Sequence, residues 1–186
     1  MGRSLKFISQ AEELAGIQKL IYNFNRFYPD FVDERTLMLM VSPDFSGIVT
    51  TIMSQGISKP EHDLIYVDCI HVPDPDEEPK LFVERFKSDW KNIQRGFETK
   101  PYNKFILVEA GVISGRNYSW LSEMMVEQMS VVPENILTVA LYESIKSEFK
   151  CDLVSNYYNH KKEDLCFWWE VPNPAFGDYS EEMSNQ

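Results

Sequence analysis

The chain has little of what would place it outside ordinary globular proteins. No apolar run approaches the ~18–20 residues that span a bilayer, so no transmembrane helix and no membrane partner are expected. The opening MGRSLKFISQAEEL lacks the apolar core of a secretory signal. It also misses the myristoylation pattern, because Lys6 stands where Ser or Thr is required. Cysteine is scarce. Cys69, Cys151 and Cys166 lie on apolar segments without metal-site spacing, which implies reduced core thiols and a cytoplasmic location. Basic charge is short as well: 18 Lys and Arg face 29 Asp and Glu, a net charge of −11. Phosphate neutralisation needs Lys and Arg, so nucleic acid is not an expected partner, although one small basic pocket is compatible with this balance. Internal repeats and low-complexity linkers are lacking.

What is present fits one folded domain. The 186 residues are 44% hydrophobic and 13% aromatic, enough for a sizeable core. The expected division is a single domain over 1–172 and an acidic, polar tail over 173–186. Leu14, Ile17, Leu20, Ile21 and Phe24 recur at helical spacing, which predicts a helix over 10–28, ended by Pro29-Asp30. Leu37–Val41 reads as a buried strand. The segment Ser42–Gly47 (SPDFSG) reads as a turn, and Ile48–Gln55 as a helix. Leu64–Val72 is a strand, and 73–79 (PDPDEEP) an acidic loop. Residues 80–98 return to helical spacing. A strand over 104–109, a helix over 118–129, and strands over Ile136–Tyr142, Leu153–Tyr158 and Leu165–Val171 follow. Alternating strands and helices predict an α/β fold with a parallel sheet and right-handed crossovers. Ligands of such sheets sit at the carboxyl ends of the strands.

The most informative stretch is Phe105–Asn117, FILVEAGVISGRN. A buried strand ends on Glu109 and delivers a polar loop to a helix start. Such a loop is an anion site by construction, because unpaired N–H groups and the helix dipole point at it. The stretch aligns without gaps to the ribose-phosphate-binding motif of type I phosphoribosyltransferases and resembles it. Phe105–Val108 match the strand, and Glu109 the first acid. Ser114, Gly115, Arg116 and Asn117 take the places of the Thr-Gly-x-Thr phosphate loop. Ala110 stands where the second acid belongs, and Ile113 where purine-type members carry a catalytic carboxylate. LMLMVSPDFSGIVTTIMSQGI is similar to the strand, pyrophosphate loop and helix that open this fold. LIYVDCIHV is similar to the strand before the mobile active-site loop. The segment Asp164–Glu170 (DLCFWWE) loosely resembles the ending of xanthine–guanine-type members, with Trp168 in place of Pro.

The resemblance implies a parallel-sheet phosphoribosyltransferase-like fold with flanking helices and a small, hood-like C-terminal β extension. It implies Glu109 as a catalytic or ribose-gripping acid, and Ser114, Gly115, Arg116 and Asn117 as phosphate ligands. Ser42, Ser46 and Gly47 fall in the pyrophosphate loop, where Asp44 is an unexpected negative charge. Trp168 or Trp169 would stack on a purine. Mg²⁺ is the implied cofactor, with no metal site of the protein's own; a purine nucleotide or phosphoribosyl pyrophosphate is the implied partner, and a homodimer the implied assembly. Gly115→Asp is the substitution this reading suggests for removing phosphate binding without unfolding the chain.

The same residues admit plainer readings. Glu109 can cap a helix or pair with a lysine, and Ser114–Asn117 can be an ordinary turn and N-cap. Either tryptophan can fill core. His71 and Asp68 suit a structural role as well as a place near the ribose. The acidic loop is a solvated loop or a lid. Three functions therefore stay open: a phosphoribosyltransferase with altered residues, a non-catalytic relative that binds a nucleotide or a protein, and an unrelated α/β protein. The missing acids leave its being an enzyme undecided.

Overall fold

Four apolar residues, Phe105–Val108, form the centre of the structure because they are covered on both sides. The structure is a computed structural model, and it describes residues 3–41, 43–57, 66–70, 79–95 and 101–167. In chain order the elements are β1 (Ser4–Ile8), α1 (Gln10–Phe27), β2 (Thr36–Val41), α2 (Pro43–Ile57), β3 (Tyr66–Ile70) and α3 (Pro79–Arg95). Then follow β4 (Lys104–Val112), α4 (Arg116–Met129), β5 (Ile136–Ser144), β6 (Leu153–Tyr158) and β7 (Glu163–Phe167).

Five strands form one sheet in the order β3-β2-β4-β5-β6, and every neighbouring pair is parallel. Met38, Ile106, Val108, Val139 and Leu141 face Ile17, Leu20 and Phe24 of α1 and Val49 and Met53 of α2. Leu37, Leu39, Phe105 and Leu107 face Phe86 and Trp90 of α3 and Tyr118, Leu121 and Met125 of α4. Sheets covered on both faces need continuous apolar strands, and LMLMV and FILV are such runs. Helix α1 starts where the sequence signals it. Ser9 accepts from the Glu12 N–H, and the Glu12 carboxylate accepts from the Ser9 N–H at 3.0 Å, a reciprocal cap. Among the described residues no helix is long and apolar enough to cross a membrane.

Two expectations are corrected. The segment Pro43–Gly47 is the first part of α2, not a turn; Pro43 sits at the first helical position, where its missing N–H is not needed. Strand β4 runs on to Val112, with Gly111 opposite Tyr142 and Val112 opposite Glu143, so only Ile113–Gly115 connects it to α4. The C-terminal β extension takes its partner strand from the N-terminus. β7 pairs in parallel with the N-terminal β1, Ser4 opposite Glu163 and Ile8 opposite Phe167, as a separate two-stranded sheet. Ile8 and Phe167 close it against the main core. The acidic loop over 73–78, His71 and the tail from Asn173 lie outside the described residues.

Candidate functional site

The strand order reverses direction between β2 and β4, since the chain runs outward to β3 from one and to β5 and β6 from the other. The carboxyl ends of that pair flank the crevice in which open α/β sheets place ligands. Ser46 ties the two ends together. Its hydroxyl donates to the Val41 carbonyl at 2.6 Å and accepts from the Ala110 N–H at 3.3 Å. Ser46 is fully buried, so its side chain lies beneath the crevice rather than in it. Gly47 is half-buried in α2, and Ser42 lies outside the described residues.

Above this tie the β4–α4 loop gathers the polar groups that its sequence suggests. Glu109 is nearly buried, and Asn117 Nδ2 donates to its Oε1 at 3.3 Å. The Arg116 N–H meets the Ser114 hydroxyl at 3.3 Å. The first intrahelical bond of α4 runs from the Ser119 N–H to the Gly115 carbonyl at 3.0 Å, so the N–H groups of Asn117 and Tyr118 precede it. Gly115 as N-cap offers no side chain and the first turn holds no acid, so apart from the Arg116 N–H on the Ser114 hydroxyl this helix start leaves the positive end of the dipole for a ligand. Glu109, Gly111–Ser114 and Gly115–Asn117 line a hollow of about 200 Å³.

The loop is buttressed from the β5–β6 connection. Gly115 has φ +75°, and a Cβ there would run into Phe149 and come within 2.9 Å of Ser147 Oγ. Only glycine suits that left-handed, crowded position. Gly115→Asp is therefore not a clean probe of phosphate binding, because it strains the loop whatever binds there. The fully buried Tyr118 packs on Phe149 with ring centroids 5.6 Å apart, and its hydroxyl donates to the carbonyls of Leu107 and Val139. Burial first, then the nearby carboxylates and Cys151, push its phenol well above the usual range. The connection is held by Glu143, whose side chain is 1% exposed and which accepts from Lys150 Nζ at 3.0 Å and the Cys151 N–H at 2.8 Å. Burial and the Glu143 charge push the Cys151 thiol far up, so it is an inert packing thiol.

No family model matches the chain, and no curated protein matches it by sequence. Solved structures do match. The xanthine-guanine-hypoxanthine phosphoribosyltransferase of Helicobacter pylori is similar at a TM-score of 0.62 and 12% identity over 100% of both chains. The purine phosphoribosyltransferase of Pyrococcus horikoshii Ot3 is similar at 0.59 and 12%, over 93% of this chain and 97% of its own. The Leishmania tarentolae HGPRT-ase, solved in complex with GMP, is similar at 0.54 and 18%, over 85% and 82%. This chain has the type I phosphoribosyltransferase fold.

Within that fold, Arg3 and β7, the strand paired with β1, roof a second cleft of about 410 Å³, which shares Glu109, Gly111 and Ile113 with the loop hollow. Tyr158 lines this cleft. Burial first, then the charges of Glu109 and Asp164, push its phenol up to about 12, so it is a neutral donor at ordinary pH. Ile113 is 57% exposed at the cleft edge. It puts an alkyl side chain where the resemblance expects a carboxylate. Ala110 is fully buried on the α1–α2 side. Trp168 and Trp169, the expected stacking residues, lie outside the described residues. The sequence reading passed over His160, Lys146 and Lys161, which line a third cleft beside Ser114–Arg116. Two short polar runs carry the available signal, IKSEFK and NHKKED.

Proposed function

We propose that the chain binds a purine nucleoside monophosphate or phosphoribosyl pyrophosphate in this crevice. The 5′-phosphate rests on the start of α4, held by the open N–H groups, the Ser114 hydroxyl, the Asn117 amide and the Arg116 charge. Glu109 accepts from a ribose hydroxyl. The base lies under the β1–β7 roof, where Trp168 and Trp169, next in the chain after Phe167, are the candidates for stacking. Ser42 and Gly47 remain the candidates beside a pyrophosphate, with Ser46 supporting the backbone beneath. The observation that carries this reading is the hollow itself: one carboxylate, one hydroxyl, one amide and an uncapped helix start converge on about 200 Å³ at the switch point of this fold.

Transfer to a base breaks the C1–O bond, with its electron pair leaving on pyrophosphate, and forms a C1–N bond as the base nitrogen gives up its proton. Positive charge grows on the ribose, so nearby carboxylates stabilise the transition state. Glu109 can do this, whereas Ala110 and Ile113 cannot. Among the described residues no group of three His, Cys, Asp or Glu side chains could hold a metal ion. The Mg²⁺ that the resemblance implies would be held mainly by substrate phosphates, where it would neutralise charge on the pyrophosphate. Each missing charged contact is worth ~3 kcal/mol, about two powers of ten in rate. The exposed Ile113 and buried Ala110 favour a second reading, binding without useful turnover.

The test is to incubate the protein with phosphoribosyl pyrophosphate, Mg²⁺ and hypoxanthine, xanthine or guanine, following pyrophosphate release alongside nucleotide binding. Binding with slow or absent release fits the reading. Failure of both nucleotide and phosphoribosyl pyrophosphate to bind rejects it.

A further inference from the structure

The β4–α4 loop has a second side. Opposite the hollow that faces Glu109, a larger cleft of about 700 Å³ shares Ser114, Gly115 and Arg116 and is walled by the β5–β6 and β6–β7 connections. Its charge runs against that of the chain. The protein carries −11 overall, yet Arg116, Lys146 and Lys161 converge here, opposed among the lining residues by Glu148. None of the three cations forms an ion pair among the described residues, whereas Arg3, Lys104 and Lys150 are matched to Asp164, Asp33 and Glu143.

The fourth member is an anchored imidazole. His160 lies where this cleft meets the one under the roof. Its Nδ1 is 2.6 Å from Ser144 Oγ, and Ser144 is fully buried. The same oxygen accepts the Lys146 N–H at 3.1 Å. One buried hydroxyl thus sets both the His160 ring and the turn that carries Lys146. Such anchoring separates this cluster from lysines scattered on a surface.

We propose that this cleft is a subsite for the anionic group next beyond the 5′-phosphate, so that the preferred ligand is a nucleotide with a 5′-diphosphate or a longer phosphate chain. The inference rests on the reading of the β4–α4 loop as the 5′-phosphate site. The two clefts share Ser114, Gly115 and Arg116, which puts the second within reach of a group bonded to the 5′-phosphate. Three cations beside an anchored imidazole suit several phosphate oxygens.

The test is calorimetry with GMP, GDP and inorganic tripolyphosphate, on the wild type and on the Lys146→Ala/Lys161→Ala double variant. Both lysines are exposed, so the variant keeps the fold. The expected result is GDP binding about tenfold tighter than GMP, or ~1.4 kcal/mol. In the variant that ratio falls to within about twofold with GMP affinity unchanged, and in the wild type it shrinks with added salt. A GDP affinity no better than that of GMP, or a ratio indifferent to the two lysines, overturns the subsite and leaves the proposed function standing. Tripolyphosphate binding that depends on the lysines, with no nucleotide bound, removes the nucleotide reading and keeps an anion site. Silence from all three ligands removes both.

Discussion

Ala110→Asp and Ile113→Asp each supply a carboxylate that the phosphoribosyltransferase motif would have, three residues apart, and their physical outcomes should be opposite. Ala110 is fully buried among Ile106, Val108, Val139 and Leu141, on the side of the sheet that α1 and α2 cover. Its N–H is bonded to Ser46, so the backbone is tied in place. An Asp side chain there must enter an apolar cluster without a cation. Even protonated, an unmatched buried polar group costs roughly 2–7 kcal/mol, and the added atoms overpack the cluster by ~1–3 kcal/mol more. The two terms sum to about 3–10 kcal/mol, against a typical total of ~5–15 kcal/mol. For a domain of this size even the lower end corresponds to a fall of roughly 6–12 °C in Tm. Ile113 is 57% exposed, so its replacement removes little buried surface and should move stability by under ~1 kcal/mol. Urea unfolding followed by far-UV circular dichroism measures both. If Ala110→Asp unfolds at the wild-type midpoint, the placement of Ala110 in the core is wrong. If the proposed function holds, Ile113→Asp alone should raise any transfer rate at least about tenfold, since it would add negative charge beside the proposed ribose site in a stable fold.

Other outcomes follow from the same geometry. Gly115→Ala should lower stability by ~1–3 kcal/mol through the left-handed backbone and the encounter with Phe149; an unchanged Tm would contradict that packing. Arg116→Ala, on an exposed side chain, should weaken nucleoside monophosphate binding by about tenfold with no change in unfolding. Glu143→Gln should cost ~1–3 kcal/mol and speed amide exchange over 145–152, because the carboxylate holds Lys150 and the Cys151 N–H; normal protection there would refute its role as the clamp of that connection. Tyr158 should titrate near 12, against an ordinary value of 10.0. The folded protein then keeps a proton that the unfolded chain has lost, so this group's contribution to stability declines as pH rises from about 10 through 12. NMR titration should show the value falling in Glu109→Gln, and no fall would separate Glu109 from that cleft.

The parts of this fold legible in the sequence were those with one physical interpretation. LMLMV and FILV are too apolar for anything but a sheet buried on both faces, and Leu14, Ile17, Leu20, Ile21 and Phe24 mark one face of a helix. Glu109 and Ser114–Asn117 were placed together because they lie within nine residues of one strand–loop–helix unit, where local geometry decides. Long-range pairing was not legible. SLKFI is five residues of mixed polarity, and only its alignment against Glu163–Phe167 makes it a strand. SPDFSG carries strong turn residues, yet packing of α2 on β4 overrides them from Pro43 onward. Lys146, His160 and Lys161 sit in two connections separated by β6, so their convergence beside Gly115 depends on tertiary structure. The buried position of Ala110 likewise depends on which face of β4 meets α2.

The most direct test of the central claim is titration calorimetry with GMP and with phosphoribosyl pyrophosphate, with and without Mg²⁺, on the wild type and on Asn117→Ala. The account predicts saturable one-to-one binding of at least one ligand, weakened about tenfold or more when the Asn117 amide is removed. Absence of binding by both, or affinity indifferent to Asn117, would contradict the assignment of the β4–α4 loop as a phosphoribosyl site.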